Sequence, residues 1–72
     1  MQRTTKISLI AKFCSEISGY QGWAVNFFKD SLIVESFDPR RRSCKESIEI
    51  PYEEIDYLSV EDIYNRLEKF FE

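Results

Sequence analysis

The chain has 72 residues, of which 15% are aromatic, and it carries a formal net charge of −3 at pH 7. It contains no histidine, which removes the commonest metal ligand and the side chain best suited to proton transfer near neutral pH. A chain of this length predicts a single domain, residues 1–72, with a thin core. We therefore expect a protein that is not an enzyme and that uses no metal, cofactor or small-molecule substrate.

The two cysteines and the short apolar stretches indicate the cellular compartment in which the protein works. Cys14 and Cys44 form no Cys-x-x-Cys pair, and there is no histidine to complete a zinc site with them. The longest uninterrupted apolar stretches are three residues, far too short for a signal peptide or a membrane span. We expect a soluble, cytoplasmic protein with no membrane partner, in which both cysteines are free, buried thiols. A disulfide between them is the alternative.

The first predicted element is a helix over residues 5–18, because apolar residues recur there at helical spacing. Thr4 or Thr5 is predicted to cap its start through a side-chain hydroxyl. Gly19 is predicted to end it in a left-handed conformation, which glycine adopts at little steric cost.

Three strands are predicted next, at Trp23–Lys29, Leu32–Phe37 and Ser47–Tyr52. The connection between the first two is so short that they must form an antiparallel hairpin, with Asp30-Ser31 as its loop. Pro51 cannot donate to a ladder, so the third strand is predicted to lie at an edge or to end there. Residues 53–58 are ambiguous and could hold a single helical turn.

The last predicted element is a helix that starts after Ser59 and runs to the end of the chain. Ser59 and Asp62 form a Ser-x-x-Asp capping pattern, and an apolar stripe at helical spacing follows from Val60 to Phe71. The stripe predicts that this helix is docked on the rest of the domain.

The order α-β-β-β-α predicts an α+β fold, a two-layer α/β sandwich in which a three-stranded antiparallel meander carries both helices on one face. In element order the chain resembles the double-stranded RNA-binding domain. The resemblance stops at the second helix, where Ser59-Val60-Glu61-Asp62 is acidic and that family has a basic Lys-Lys-x-Ala-Lys stretch. The shared order alone implies a fold and no function.

The predicted hairpin gives the sheet a second apolar face. Its register pairs Phe28 with Ile33, Asn26 with Glu35, and Ala24 with Phe37. The core-facing set is then Trp23, Val25, Phe27, Leu32, Val34 and Ser36. Phe28, Ile33 and Phe37 are predicted to form a contiguous outward patch, which in a small protein indicates an interaction site. Two alternatives are that residues 53–58 fold back over this patch, or that the register is wrong by one residue and the faces are exchanged.

Arg40, Arg41 and Arg42 form the one concentrated charge cluster, in a predicted loop between strands. Arginine binds phosphate and carboxylate groups through a rigid fork of donors, so this loop could contact an acidic protein surface or a nucleic-acid backbone. The acidic pI of about 4.9 argues against nucleic acid. So does the charge distribution, because a balance of +4 over residues 1–45 is followed by −7 over residues 46–72.

The sequence thus predicts a non-enzymatic protein-binding module, such as a regulator, an inhibitor or a small subunit. Phe28, Ile33 and Phe37 are its predicted apolar anchors, and Arg40–Arg42 set the charge of the partner. Self-association through the same face is a variant, since two-fold dimers are the commonest oligomers. The alternative is a nucleic-acid-associated protein that contacts phosphates through Arg40–Arg42.

Overall fold

A computed structural model describes residues 1–40 and 43–72. Its elements are α1 (Arg3–Ile17), β1 (Gly22–Phe27), β2 (Ser31–Asp38), β3 (Ser43–Pro51), α2 (Tyr52–Tyr57) and α3 (Val60–Phe71). The strands form one antiparallel sheet in the order β1-β2-β3. The α+β class and the meander are confirmed, and α2 is an extra helix between the third strand and the last predicted helix.

Helix α1 begins two residues before its predicted start and ends one residue before its predicted end. The predicted threonine caps are wrong, because Thr4 and Thr5 lie inside the helix and Gln2 occupies the N-cap position without a side-chain hydrogen bond. Gly19 has a φ of 64°, as predicted for the residue that ends a helix in the left-handed region.

Helix α3 matches its prediction closely. The Asp62 backbone N–H donates to Ser59 Oγ at 3.1 Å, and the Ser59 N–H donates to Asp62 Oδ2 at 3.4 Å, which completes a capping box. Its buried residues are Ile63, Leu67 and Phe71, one apolar stripe at helical spacing.

The hairpin register differs from the prediction. Asn26 lies opposite Ile33 and Ala24 opposite Glu35, so each residue of β1 pairs two positions away from its predicted partner. The cause is the turn. The Phe28 N–H donates to the Ser31 carbonyl at 2.8 Å, which makes Lys29-Asp30 the loop residues. A shift of two residues preserves side-chain alternation, so the predicted faces of the strands are kept.

Strand β3 begins four residues before its predicted start and ends at Pro51. An extra residue, Lys45, forms a bulge, because Ser36 pairs with Glu46 while Phe37 pairs with Cys44. Tyr52, predicted as the last strand residue, instead begins α2.

Helix α2 fixes the turn of the β1-β2 hairpin. The Tyr52 N–H donates to the Asp30 carbonyl at 3.0 Å, and the Tyr52 hydroxyl donates to the Phe28 carbonyl at 2.7 Å. Ile55 is fully buried in the core, whereas Tyr57 is 83% exposed. Residues 53–58 therefore do not cover the predicted outward patch, because Ile55 packs in the core and Tyr57 extends into solvent.

The hydrophobic core is one cluster that draws on all three helices and on one face of the sheet. Its members are Ile10, Cys14, Leu32, Val34, Ile50, Ile55, Ile63, Leu67 and Phe71. The sheet residues Leu32, Val34 and Ile50 share the face that was predicted to be core-facing. The placement of both predicted helices on that face stays a prediction. Within the described ranges, no helix is long and apolar enough to cross a membrane.

Candidate protein-binding face

The side of the sheet opposite the core contains a mixture of apolar and polar side chains. We call it the outward face, and its residues in β1, β2 and β3 are Gly22, Ala24, Asn26, Ser31, Ile33, Glu35, Phe37, Cys44, Ser47, Glu49 and Pro51. Opposite residues of neighbouring strands share a face, so the observed register fixes this membership. The three predicted apolar anchors lie on this face or at its end.

Phe28 lies at the hairpin end of the outward face, just beyond the last residue of β1. Its N–H and its carbonyl are both occupied, by Ser31 and by the Tyr52 hydroxyl, while its side chain is 55% exposed. The backbone is thus held in place and the ring faces solvent. Because the Phe28 backbone is already ordered, binding a partner would need to fix only the side-chain torsions of this residue.

Ile33 and Phe37 lie on β2, and both are partly buried. Within residues 1–40 and 43–72, neither belongs to the core cluster or packs against it. Phe37 covers Gly22 across the ladder, where an added Cβ would come within 3.3 Å of the Phe37 Cβ. Their burial therefore comes from neighbouring strand residues, and one side of each remains available.

The prediction of a contiguous apolar patch is wrong in one respect. Glu35 lies between Ile33 and Phe37 on the same face and accepts a hydrogen bond from the Asn26 side chain. Four residues of extended chain place Ile33 and Phe37 about 13 Å apart. The anchors are therefore separate apolar spots on either side of a polar pair.

Phe27 also departs from the prediction. It belongs to the core-facing set but is 61% exposed, because it lies in the last pair of the hairpin ladder on the edge strand. With Phe28 it places two exposed rings on consecutive residues, one on each side of the sheet. Sequence alternation alone could not show that the core ends before this position.

The arginine loop is described only in part. Arg40 is exposed, and its N–H donates to the Asp38 side chain at 2.8 Å in a local turn. Arg41 and Arg42 lie outside the described residues, so their predicted contribution to binding stays a prediction.

The two cysteines have different surroundings. Both are free, but Cys14 is buried and Cys44 is exposed, so the prediction of two buried thiols is wrong for Cys44. Burial raises the pKa of the Cys14 thiol to about 11. The pKa of the Cys44 thiol is raised by partial desolvation and then by the nearby Glu35 carboxylate. The Cys44 thiol donates a hydrogen bond to the Glu46 carbonyl, with an Sγ–O distance of 3.5 Å.

Two basic residues of α1 have structural roles that sequence reasoning missed. Lys6 is only 7% exposed, and its Nζ donates to the carbonyls of Ile55 (3.0 Å), Asp56 (3.1 Å) and Leu58 (2.6 Å) at the end of α2. Arg3 forms a two-pronged pair with the Asp56 carboxylate, at 3.0 and 2.6 Å. Lys6, Ile10 and Cys14 follow one another at intervals of four residues, which places them on one side of α1, and this spacing was the available signal.

A shallow depression of about 300 Å³ beside α2 is lined by Pro51, Glu53, Glu54 and Tyr57. It is open to solvent, and so it does not exclude water as a closed reaction site does. Among the described residues, no group of three or more metal-ligating side chains is clustered. The outward face is thus the strongest candidate site. No protein-family model matches the chain, and neither does any curated protein or solved structure.

Proposed function

We propose that the protein is a small, non-enzymatic binding module that docks another protein on its outward face. The observation that carries the proposal is that Ile33 and Phe37 are apolar yet lie outside the core, while Phe28 at the end of the same face is 55% exposed. Aromatic residues are enriched at protein interfaces, and a few separate anchor residues can carry most of the binding energy. The role is that of a regulator, an inhibitor or a small subunit.

The face also suggests what a partner must offer. The partner needs separate apolar pockets for the rings at the two ends and a donor for the Glu35 carboxylate between them. Arg40, with Arg41 and Arg42, would favour acidic groups at the Phe37 end. The protein would act in the cytoplasm, and the two free thiols support a reducing compartment.

The test is a pull-down from native lysate with three tagged variants in parallel. Phe37→Glu and Ile33→Glu should each lower recovery of a specific partner at least about tenfold, since each places a charge in an apolar contact. Tyr57→Glu is the matched control, because Tyr57 is exposed on α2 and should leave recovery unchanged. Equal recovery for all three folded variants would contradict the proposal.

The same preparation separates the alternative, a nucleic-acid-associated protein that uses Arg40–Arg42. Binding to a labelled duplex or single strand would then fall steeply as salt rises, because arginine contacts release counterions. It would disappear when the three arginines are replaced by alanine and survive Phe37→Glu. That pattern would replace the proposed function with the alternative.

A further inference from the structure

The two edges of the sheet are protected to very different extents. Edge strand β3 carries Lys45, Glu46, Glu49 and Pro51, which are typical of edges that avoid pairing with other chains. Edge strand β1, with the sequence GWAVNF, carries no charge and no proline. Only one edge of this sheet is therefore suited to adding a further strand.

The direction of the free backbone groups of β1 follows from the hairpin. The Phe28 N–H points to β2, where it donates to Ser31, and backbone groups alternate in direction along an antiparallel strand. The N–H and carbonyl groups of Trp23, Val25 and Phe27 therefore point to the free edge. In the described part of the chain, no other segment hydrogen-bonds to them.

We propose that β1 pairs antiparallel with β1 of a second copy of this chain, centred on Val25. In this register Val25 faces Val25 of the second copy, and Trp23 faces Phe27 of the second copy on both sides of the two-fold axis. All three are residues whose backbone groups point outward, so each facing pair exchanges two hydrogen bonds. The result is one continuous six-stranded sheet with a closed, isologous interface.

The side chains fit this register on both faces of the sheet. On the core-facing side, the exposed ring of Phe27 meets the partly buried Trp23 ring, an aromatic pair of the kind that stabilises ladders. On the outward side, Phe28 lies opposite Gly22, and an aromatic ring across from a glycine is a known stabilising arrangement. No charged residue lies in the paired segment, so two copies of equal charge meet without repulsion there.

Self-pairing also explains why the exposed rings lie where they do. Phe27 is uncovered in one copy because the core ends before the hairpin turn, and a second copy supplies the missing neighbour. Strand β1 contributes six residues from each copy, against the roughly 20–30 residues per partner of a standard interface, so we expect micromolar or weaker affinity. This surface is the edge of β1, and it shares Phe28 and Gly22 with the outward face of the proposed function.

Sedimentation equilibrium over a wide concentration range tests the proposal on the full chain. The wild type should show a monomer–dimer equilibrium. Val25→Pro should weaken dimerisation roughly tenfold or more, because it removes an edge N–H from each copy without removing a bond to β2. Ser47→Pro is the matched control, since the Ser47 N–H points to the free edge of β3, and it should dimerise like the wild type.

A second variant tests the same register by crosslinking, in case Val25→Pro does not fold. In the proposed register the two Val25 Cα atoms lie about 5.5 Å apart, within the range that a disulfide spans. Val25→Cys in a Cys44→Ser background should therefore form an oxidised dimer rapidly, and Ser47→Cys in the same background should not. A wild type that stays monomeric at millimolar concentration, a folded Val25→Pro dimer, or equal crosslinking at both edges would overturn the proposal. Ile33→Glu should retain the dimer, so loss of the partner and loss of the dimer are separable.

Discussion

The two faces of the sheet are built from the same three strands, and neighbouring residues alternate between them. Leu32 is fully buried in the core, while the next residue, Ile33, is partly buried and lies outside it. On the core side, even the charged Lys6 has three hydrogen-bond partners, whereas on the outward face Phe28 leaves more than half of its surface in water. We therefore expect stability to be concentrated on the core face, and substitutions on the outward face to leave the domain folded.

The sharpest test of this contrast is a pair of substitutions at adjacent residues. Leu32→Ala should lower the free energy of unfolding by about 3 kcal/mol, because it leaves a cavity among buried neighbours. Ile33→Ala should cost about 1 kcal/mol or less, since its side chain lies outside the core. Urea unfolding followed by circular dichroism measures both. Equal losses would show that the outward face is as closely packed as the core.

The next largest effect is expected at Lys6. Lys6→Met keeps the aliphatic stem but removes the donor from three carbonyls at the end of α2, so we expect a loss of about 2 kcal/mol. Lys12→Met, on the exposed side of α1, is the control and should change stability little. If the two variants were equally stable, the buried ammonium would contribute nothing to the joint between α1 and α2.

The buried thiol of Cys14 predicts that the stability of the core depends on pH in the alkaline range. Because the folded state holds the pKa of Cys14 at about 11, the unfolded state binds fewer protons once pH passes the ordinary value of 9.0. Stability that the thiol contributes below pH 9 should therefore fall as pH rises from 9 to 11. The slope should be smaller for Cys14→Ala, and denaturant midpoints at several pH values measure it. Identical slopes in the two proteins would contradict the assignment.

The smallest effect is expected from the exposed pair between Arg3 and Asp56. The hydrogen bonds from Arg3 lower the pKa of the Asp56 carboxyl, so the unfolded state takes up a proton first as pH falls. The pair should stabilise the fold above the ordinary carboxyl pKa of 3.8 and lose this effect as pH falls through the lower, folded value. Arg3→Gln should reduce the acid dependence of the thermal midpoint slightly, because exposed ion pairs are weak. If Arg3→Gln lowered the free energy of unfolding at neutral pH more than Lys6→Met does, the expected order of the two contacts would be reversed.

Sequence patterns predicted the elements whose signals are local. The apolar stripe and capping box of α3, the end of α1 at Gly19 and the order of the strands all follow from spacing within a few residues. The faces of the strands were also predictable, because alternation survives a shift of two residues in pairing.

The features that sequence could not supply depend on distant partners. The turn lies at Lys29-Asp30 and not at the predicted Asp30-Ser31, because Tyr52 donates to the carbonyls of Phe28 and Asp30. No local sequence pattern links Tyr52 to this turn. The burial of Lys6 required knowledge that the end of α2 lies beside α1. The free edge of β1 became visible only once the register was fixed, because backbone direction depends on which residues pair.

The contact between Lys6 and α2 has a consequence for how the chain is made. A ribosome releases residues in order, and Lys6 emerges 52 residues before the Leu58 carbonyl to which it donates. A six-residue helix is not stable alone, so we expect α2 to need its contact with Lys6 of α1. That contact can form only after all three strands of the sheet have been synthesised. We expect that during this interval the side of α1 that later packs in the core is exposed to solvent, as apolar surface is in partly folded chains.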